Sequence, residues 1–174
     1  INMYQEKIDA GWSLERIMSA IRSKSRDNAR TPMQWDASEN AGFTNGIPWL
    51  PVNTNHIHIN AEDAAADETS IFHHYRKLIA LRKERKIVTD GAFELLLRED
   101  EHVFAYKRIC DGEILYVLCN FTDRPIDLED EELWSARTKG ELLLSNEPIP
   151  SERQLSPYEA SIYLIEESAI LRVD

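Results

Sequence analysis

"VFAYKRICDGEILYVLCNF", residues 103–121, reads as two β-rich runs, 103–110 and 113–121, joined by Asp111-Gly112. Asp-Gly between such runs is the signature of a two-residue type I′ hairpin, because both central positions take positive φ, which these residues tolerate best. In that register Cys110 faces Glu113. Cys119 then lies about 20 Å farther along its strand at 3.3 Å per residue, well beyond bridging distance. Two reduced core cysteines are expected, which suits a reducing compartment.

Outward from the hairpin, residues 93–97, 141–144 and 161–165 read as further strands, with a turn at 122–125. Residues 92–174 are therefore expected to form an antiparallel all-β domain, and the short acidic run 129–132 a solvated turn within it. Before Gly91 the period becomes helical. Asp67 reads as the N-cap of a helix over 67–86, with Ile71, Tyr75, Leu78 and Ile79 as its apolar stripe. Arg82, Lys83, Arg85 and Lys86 complement the dipole at its C-terminal end. Residues 2–10 form a weaker helical stretch closed by Gly11. Ser13 then caps a helix to about Ser23, with Glu15 in its first turn and Leu14, Ile17, Met18 and Ile21 on one face. Between them, residues 25–61 hold Pro32, Pro48, Pro51, Gly42 and Gly46, which exclude a regular element. A loop of that length inside a compact domain is usually functional.

The 174 residues, 43% hydrophobic and 29% charged, suffice for a sizeable core in one domain or two small ones. The longest apolar run, 114–119, falls far short of the roughly 18 residues of a membrane span, and no signal-peptide pattern opens the chain, so a cytoplasmic location is expected. The chain begins at Ile1 rather than a methionine, with a stretch that reads as protein interior, so a fragment is expected. Residues 1–92 carry twelve Lys/Arg against twelve Asp/Glu, and 93–174 carry eight against nineteen, so the second half holds the whole net charge of −11. Such an acidic surface repels nucleic acid and anionic membranes, and neither is an expected partner.

The loop opens with "SRDNARTPMQWD", residues 25–36, a run without helical or strand period. Its composition suits a sugar pocket. Arg26 and Arg30 present planar, permanently charged donors that can hold hydroxyl oxygens in a fixed orientation. Trp35, Phe43 and Trp49 offer flat apolar surfaces for the C–H faces of a sugar ring. The competing structural reading has Arg26 pair with Asp27 or Asp36 to brace the loop, with the tryptophans as its private core. His56, His58, His73 and His74 have no Cys or acidic ligand at matching spacing, so no metal site is expected. The histidines at 73 and 74 flank a helix that would present Tyr75 to the core. No phosphate-cradling glycine loop or nucleophile elbow occurs, and no cofactor is implied.

"SRDNARTPMQWD", continued by "ENAGFTNGIPWLPVN", "INAE", "SIFHHYRKLIALRK" and, near the end, "PYEASIYLI", resembles the C-terminal third of the α-glucosidase branch of glycoside hydrolase family 13, the α-amylase family. Oligo-1,6-glucosidases, dextran glucosidases and trehalose-6-phosphate hydrolases share this run, and sucrose isomerases share its motif. The resemblance implies an α+β fragment: the loop after strand eight and the last helix of a (β/α)8 barrel over residues 1–91, then a C-terminal antiparallel β domain over 92–174.

It further implies an exo-acting, retaining enzyme on short α-linked gluco-oligosaccharides, with trehalose-6-phosphate hydrolase as the alternative. A non-catalytic sugar-binding or interaction module is the alternative of another class. Retention needs two carboxyls about 5–5.5 Å apart. The family's nucleophile Asp, general acid Glu and third Asp lie in motifs that would precede Ile1, so no catalytic residue is assigned and the isolated chain is expected to be inactive. By the same resemblance Arg30 holds the hydroxyls of the terminal glucose and Arg26 lies near the neighbouring subsite, while Asp27 and Asn28 shape the loop. With the barrel strands absent, the apolar face of helix 67–86 is expected to be exposed and to favour self-association.

Overall fold

The computed structural model describes residues 2–24, 26–148, 151 and 153–166, with the side chains of Asn2, Met3, Asp27 and Asn28 left aside. The chain divides into two compact units, Ile1–Ser70 and Ile71–Asp174. Helices α4 (Ile71–Glu84) and α5 (Lys86–Asp90) fall in the same unit as the sheet, and α5 packs Ile87 into one of its faces.

In the first unit, α1 (Asn2–Asp9) ends before Gly11 at φ 77°, and α2 (Leu14–Lys24) starts at Ser13, whose Oγ accepts from the Arg16 amide at 3.3 Å. Between them the Trp12 ring is flanked by Lys7 Nζ at 4.7 Å and the Arg16 guanidinium at 3.8 Å from its centroid, a cation–π bracket for the corner. The expected loop over 25–61 is irregular apart from three single 3₁₀ turns, and α3 (Ala61–Ala66) follows it.

The reading of Asp67 as a helix cap is corrected here. Asp67 closes α3, its carboxylate accepts from Thr69 N and Thr69 Oγ1, and α4 begins only at Ile71. An Asx turn satisfies the aspartate locally and so competes with the helix it was expected to start. The helix also breaks at Arg85, which is extended and caps α5. No residue of α4 is buried: Ile71, Tyr75 and Ile79 are exposed and Leu78 is half-buried, so Tyr75 does not reach a core.

The second unit is built on a five-stranded antiparallel sheet in the order β1-β2-β3-β7-β5, from β1 (Ala92–Leu96), β2 (Val103–Cys110), β3 (Glu113–Asn120), β5 (Glu141–Ser145) and β7 (Ala160–Glu166). Cys110 pairs with Glu113 and Cys119 with Phe104, both cysteines are free, and Asp111 and Gly112 take φ of 51° and 81°, as the hairpin reading required. Central β3 is buried on both faces, which is why its sequence is continuously apolar rather than alternating. Ile114, Tyr116 and Leu118 face the main core, and Leu115 and Val117 face Ile87 of α5. Arg108 fastens α5 to the sheet by donating to the carbonyls of Ile87, Thr89 and Gly91 at 2.8–3.0 Å.

The expectation of an all-β second half is also corrected. A helix, α6 (Glu131–Lys139), grows from the acidic run read as a solvated turn, and a small β4–β6 pair (Ile126–Asp127, Gln154–Leu155) stands beside it. Asp130 is the cap, accepting from Leu133 N at 2.9 Å, and Leu133, Ala136 and Arg137 are buried. Helices and an antiparallel sheet together make the fold.

Glu132 ties α6 to the sheet: its Oε1 accepts from Lys107 Nζ at 2.8 Å and from Tyr116 OH at 2.9 Å. Burial alone would push its carboxyl up, but these two donors outweigh it and hold it below the ordinary carboxylate range. A carboxyl depressed by folding contributes stability fully above its unfolded value, about pH 4.3, and loses it as pH falls through the lower folded value. Glu132→Gln is therefore expected to destabilise at pH 7, by an amount that shrinks as pH is lowered below about 4.3, as read by urea unfolding along a pH series. A difference that does not change with pH would show that the charge is irrelevant.

Candidate functional site

The first unit carries the loop with the candidate binding residues. A 3₁₀ turn, Arg26–Ala29, follows α2 and presents Arg26; Arg30 comes directly after it, and both arginines are exposed. The side chains of Asp27 and Asn28, read as shaping the loop, lie outside the described residues. Pro32 is buried, and its ring disfavours the helical region for Thr31, where the chain bends.

Residues 34–36 then act as a clasp. Gln34 O and Trp35 O accept from Ala61 N and Glu62 N, each at 2.9 Å, which satisfies first-turn amides of α3. Trp35 N and Asp36 N both donate to Ala41 O, at 2.9 and 3.3 Å. The Gln34 side-chain amide donates to Asn55 Oδ1 at 3.0 Å and to Ile59 O. Asn60, buried at 6% exposure, completes the arrangement with a reciprocal cap: its Oδ1 accepts from Asp63 N, and its Nδ2 donates to Asp63 Oδ2 and His56 O.

The turn held by the clasp is strained. Asn40, Ala41 and Gly42 run consecutively at φ of 52°, 56° and 64°. Ala41 is fully buried, and Gly42 lies so close to the Asp36 carboxylate that a Cβ there would meet Oδ2 at 2.5 Å. The Asp36 carboxyl accepts from Ser38 Oγ and Ser38 N, and these two donors, with His56 nearby, hold it below the ordinary range. Asp36 is thus an ionised structural acceptor, unsuited to donating a proton at neutral pH.

Of the competing structural reading, the part that the described residues reach does not hold. Trp35, Phe43 and Trp49 are 52%, 43% and 70% exposed, so they form no private core, and the described hydrogen bonds of Asp36 go to Ser38 rather than to Arg26. The pairing of Arg26 with Asp27 falls outside the described residues. His56 Nδ1 lies 3.0 Å from Asn53 O, and His73 packs edge-on against Phe72. Among the described residues no group of three or more His, Cys, Asp or Glu is arranged to hold a metal, and no helix is long and apolar enough to cross a membrane. Gln34 and Asn60 escaped the sequence reading. Asn60, three residues before Asp63, was a readable cap; nothing local marked Gln34.

An exposed pair of guanidiniums on a polar-braced loop with exposed aromatic rings can bind a polyhydroxylated ligand. Residues 1–91 match the alpha-amylase family, described as Alpha amylase, catalytic domain. The chain is 47% identical over 171 residues to an oligo-1,6-glucosidase of Halalkalibacterium halodurans, covering 94% of this chain and 30% of that protein. It is 44% identical over 168 residues to a trehalose-6-phosphate hydrolase of Bacillus subtilis, with the same two coverages. Among solved structures, the trehalose-6-phosphate hydrolase of Bacillus licheniformis aligns with a TM-score of 0.86 at 39% identity, covering 95% of this chain and 31% of that one. The chain thus spans about 30% of the length of the curated relatives it matches.

Proposed function

The chain belongs to the alpha-amylase family, and on that premise we propose that it is the C-terminal portion of an exo-acting, retaining α-glucosidase that hydrolyses short α-linked gluco-oligosaccharides. Residues 1–91 are the loop after strand eight and the last helix of the (β/α)8 barrel, and 92–174 are the C-terminal domain. The observation that carries this reading is the exposed Arg26/Arg30 pair on a braced loop within the part of the chain that matches the family's catalytic domain. Arg30 holds the hydroxyls of the terminal glucose and Arg26 stands at the neighbouring subsite. Fixed donors of this kind orient a sugar for attack and close the pocket to longer chains. The two carboxyls that retention requires come from barrel strands outside these 174 residues. A cytoplasmic location and the free cysteines belong to the same reading.

The similarity to trehalose-6-phosphate hydrolases favours a second substrate, a disaccharide with a 6-phosphate. Assaying this chain and the complete enzyme that carries it, side by side, with p-nitrophenyl α-glucoside and with trehalose 6-phosphate separates these readings. The expected result is cleavage of the glucoside by the complete enzyme alone. Preference for the phosphorylated disaccharide would select the second reading. Cleavage by the 174-residue chain would overturn the assignment of catalysis to the barrel strands, and inactivity of the complete enzyme would favour a binding module. Sedimentation of the same samples tests self-association through the exposed face of α4, which a compact monomer without dye-accessible apolar surface would contradict.

A further inference from the structure

Arg30 can orient a sugar only if its own main chain is held, and among the described residues the few positions that directly follow it do little to hold it. The residues after it form no strand or helix, and Thr31 and Met33 are exposed. Buried Pro32 stiffens the segment but has no N–H with which to fasten it. After Arg30, Gln34 is the first residue whose side chain and main chain are both tied to a distant part of the loop. Its amide nitrogen bonds 21 and 25 residues ahead, to Asn55 Oδ1 at 3.0 Å and to Ile59 O, while its carbonyl accepts from Ala61 N at 2.9 Å. The Ile59 carbonyl can only accept, so it fixes which end of the Gln34 amide faces it, and both amide hydrogens are used. Beyond Gln34 the clasp continues through Trp35 and Asp36 into the strained Asn40–Gly42 turn, whose left-handed residues persist because the surrounding bonds over-determine them.

We propose that Gln34 is a positioning residue for Arg30: its amide braces the stretch that carries the guanidinium and so sets how tightly the terminal glucose is held. The inference rests on the reading of Arg30 as a sugar contact. Gln34 touches no substrate and acts through the main chain. Its side-chain bonds are separable from the fold of the loop, because the main-chain bonds from Gln34 O, Trp35 O and Trp35 N do not depend on the amide. Gln34→Glu keeps the shape and replaces the donor with an oxygen facing two acceptors. The main-chain bonds of the clasp then stay closed, and only the side-chain brace at the end of the segment that carries Arg30 is lost.

The test is a double-mutant cycle in the complete enzyme, reading KM for p-nitrophenyl α-glucoside and the inhibition constant of glucose for the parent, Gln34→Glu, Arg30→Ala and the double variant. With Arg30 present, Gln34→Glu is expected to raise both constants about tenfold; with Arg30→Ala in place it should change them by less than about twofold, since coupled residues are non-additive. Asn55→Ala, which removes one of the two acceptors and leaves Ile59 O, is expected to give a smaller effect with the same dependence, and it serves if Gln34→Glu does not fold. An equal effect of Gln34→Glu, or of Asn55→Ala in its place, in both backgrounds overturns the proposal, as does a lowered melting temperature with unchanged KM, which marks a merely structural residue. If Arg30→Ala alone leaves the glucose constant unchanged, the sugar-contact reading itself fails, and that outcome is visible without any change at Gln34.

Discussion

Arg137→Ala is expected to cost the sheet-bearing unit about 3–5 kcal/mol, a large part of the roughly 5–15 kcal/mol that holds a typical domain together. Arg137 reaches from α6 into the core, where its side chain is 1% exposed, and meets Glu159, 0% exposed, with Nη1 2.7 Å from Oε1. Nη1 also donates to Ser161 Oγ at 3.2 Å, Nε to Ser151 O at 3.0 Å, and Nη2 to Ser151 O and Gln154 O. The Glu159 carboxylate accepts in addition from Ser156 N and Ser161 Oγ. One guanidinium thus joins α6, β7 and the segment around β6. Its removal leaves a carboxylate with no cation beside it in a site without solvent, which costs far more than the pair itself contributes.

The double variant Arg137→Met with Glu159→Gln is expected to recover part of the loss, because no uncompensated charge then remains. Arg137→Lys should fall between, since a point charge cannot serve acceptors on three segments at once. Urea unfolding at pH 7 measures all three. A loss below about 1 kcal/mol for Arg137→Ala would mean that water reaches Glu159 and that the burial described for it is not maintained in solution.

Arg30→Ala in the complete enzyme is expected to lower kcat/KM about a hundredfold. Hydrogen bonds from a charged donor contribute about 1.5–3 kcal/mol each, and losing one or two to the terminal glucose gives a change of this order. Arg26→Ala should cost closer to tenfold, as a contact at the neighbouring subsite. Because Arg30 is exposed, circular dichroism and melting temperature should not move, which separates lost binding from lost folding. Arg30→Lys keeps the charge but not the planar fork, and is expected to regain only a small part of the activity. Unchanged KM and glucose inhibition in Arg30→Ala would remove Arg30 from the pocket.

These two arginines differ in how well the sequence announced them. Arg30 stood in a run without periodicity, where residue types must answer to chemistry rather than to a core face, and the run's resemblance supplied the role proposed for it. Arg137 lay in "EELWSARTK", whose two charged ends read as surface. The cap pattern was present, with Asp130 followed by two glutamates and, after the last turn, Gly140. It was outweighed because an acidic run is usually solvated. Only Leu133 and Ala136, three residues apart, hinted at a buried side. The β4–β6 pair is two residues long on each side and carries no period at all.

What the sequence by itself determined is local. Asp111-Gly112 set the hairpin register because φ is restricted residue by residue, Ser13 and Gly11 bounded their helices through their own side chain or lack of one, and the prolines excluded a regular element from the loop. The tertiary structure alone decided that α4 buries no residue, that α5 packs on the sheet through Ile87 and Arg108, and that Glu132 and Arg137 turn an acidic run into a helix fastened to the core. It alone brought Gln34 to Asn55 and Ile59. The hydrogen bonds among these join residues 14 to 25 positions apart, and the packing of Ile87 reaches farther still, to Leu115, Val117 and Leu164. Propensity and turn chemistry act over the few residues that share a set of dihedrals, whereas burial and buried charge are settled only when the whole chain has chosen which surfaces to remove from water.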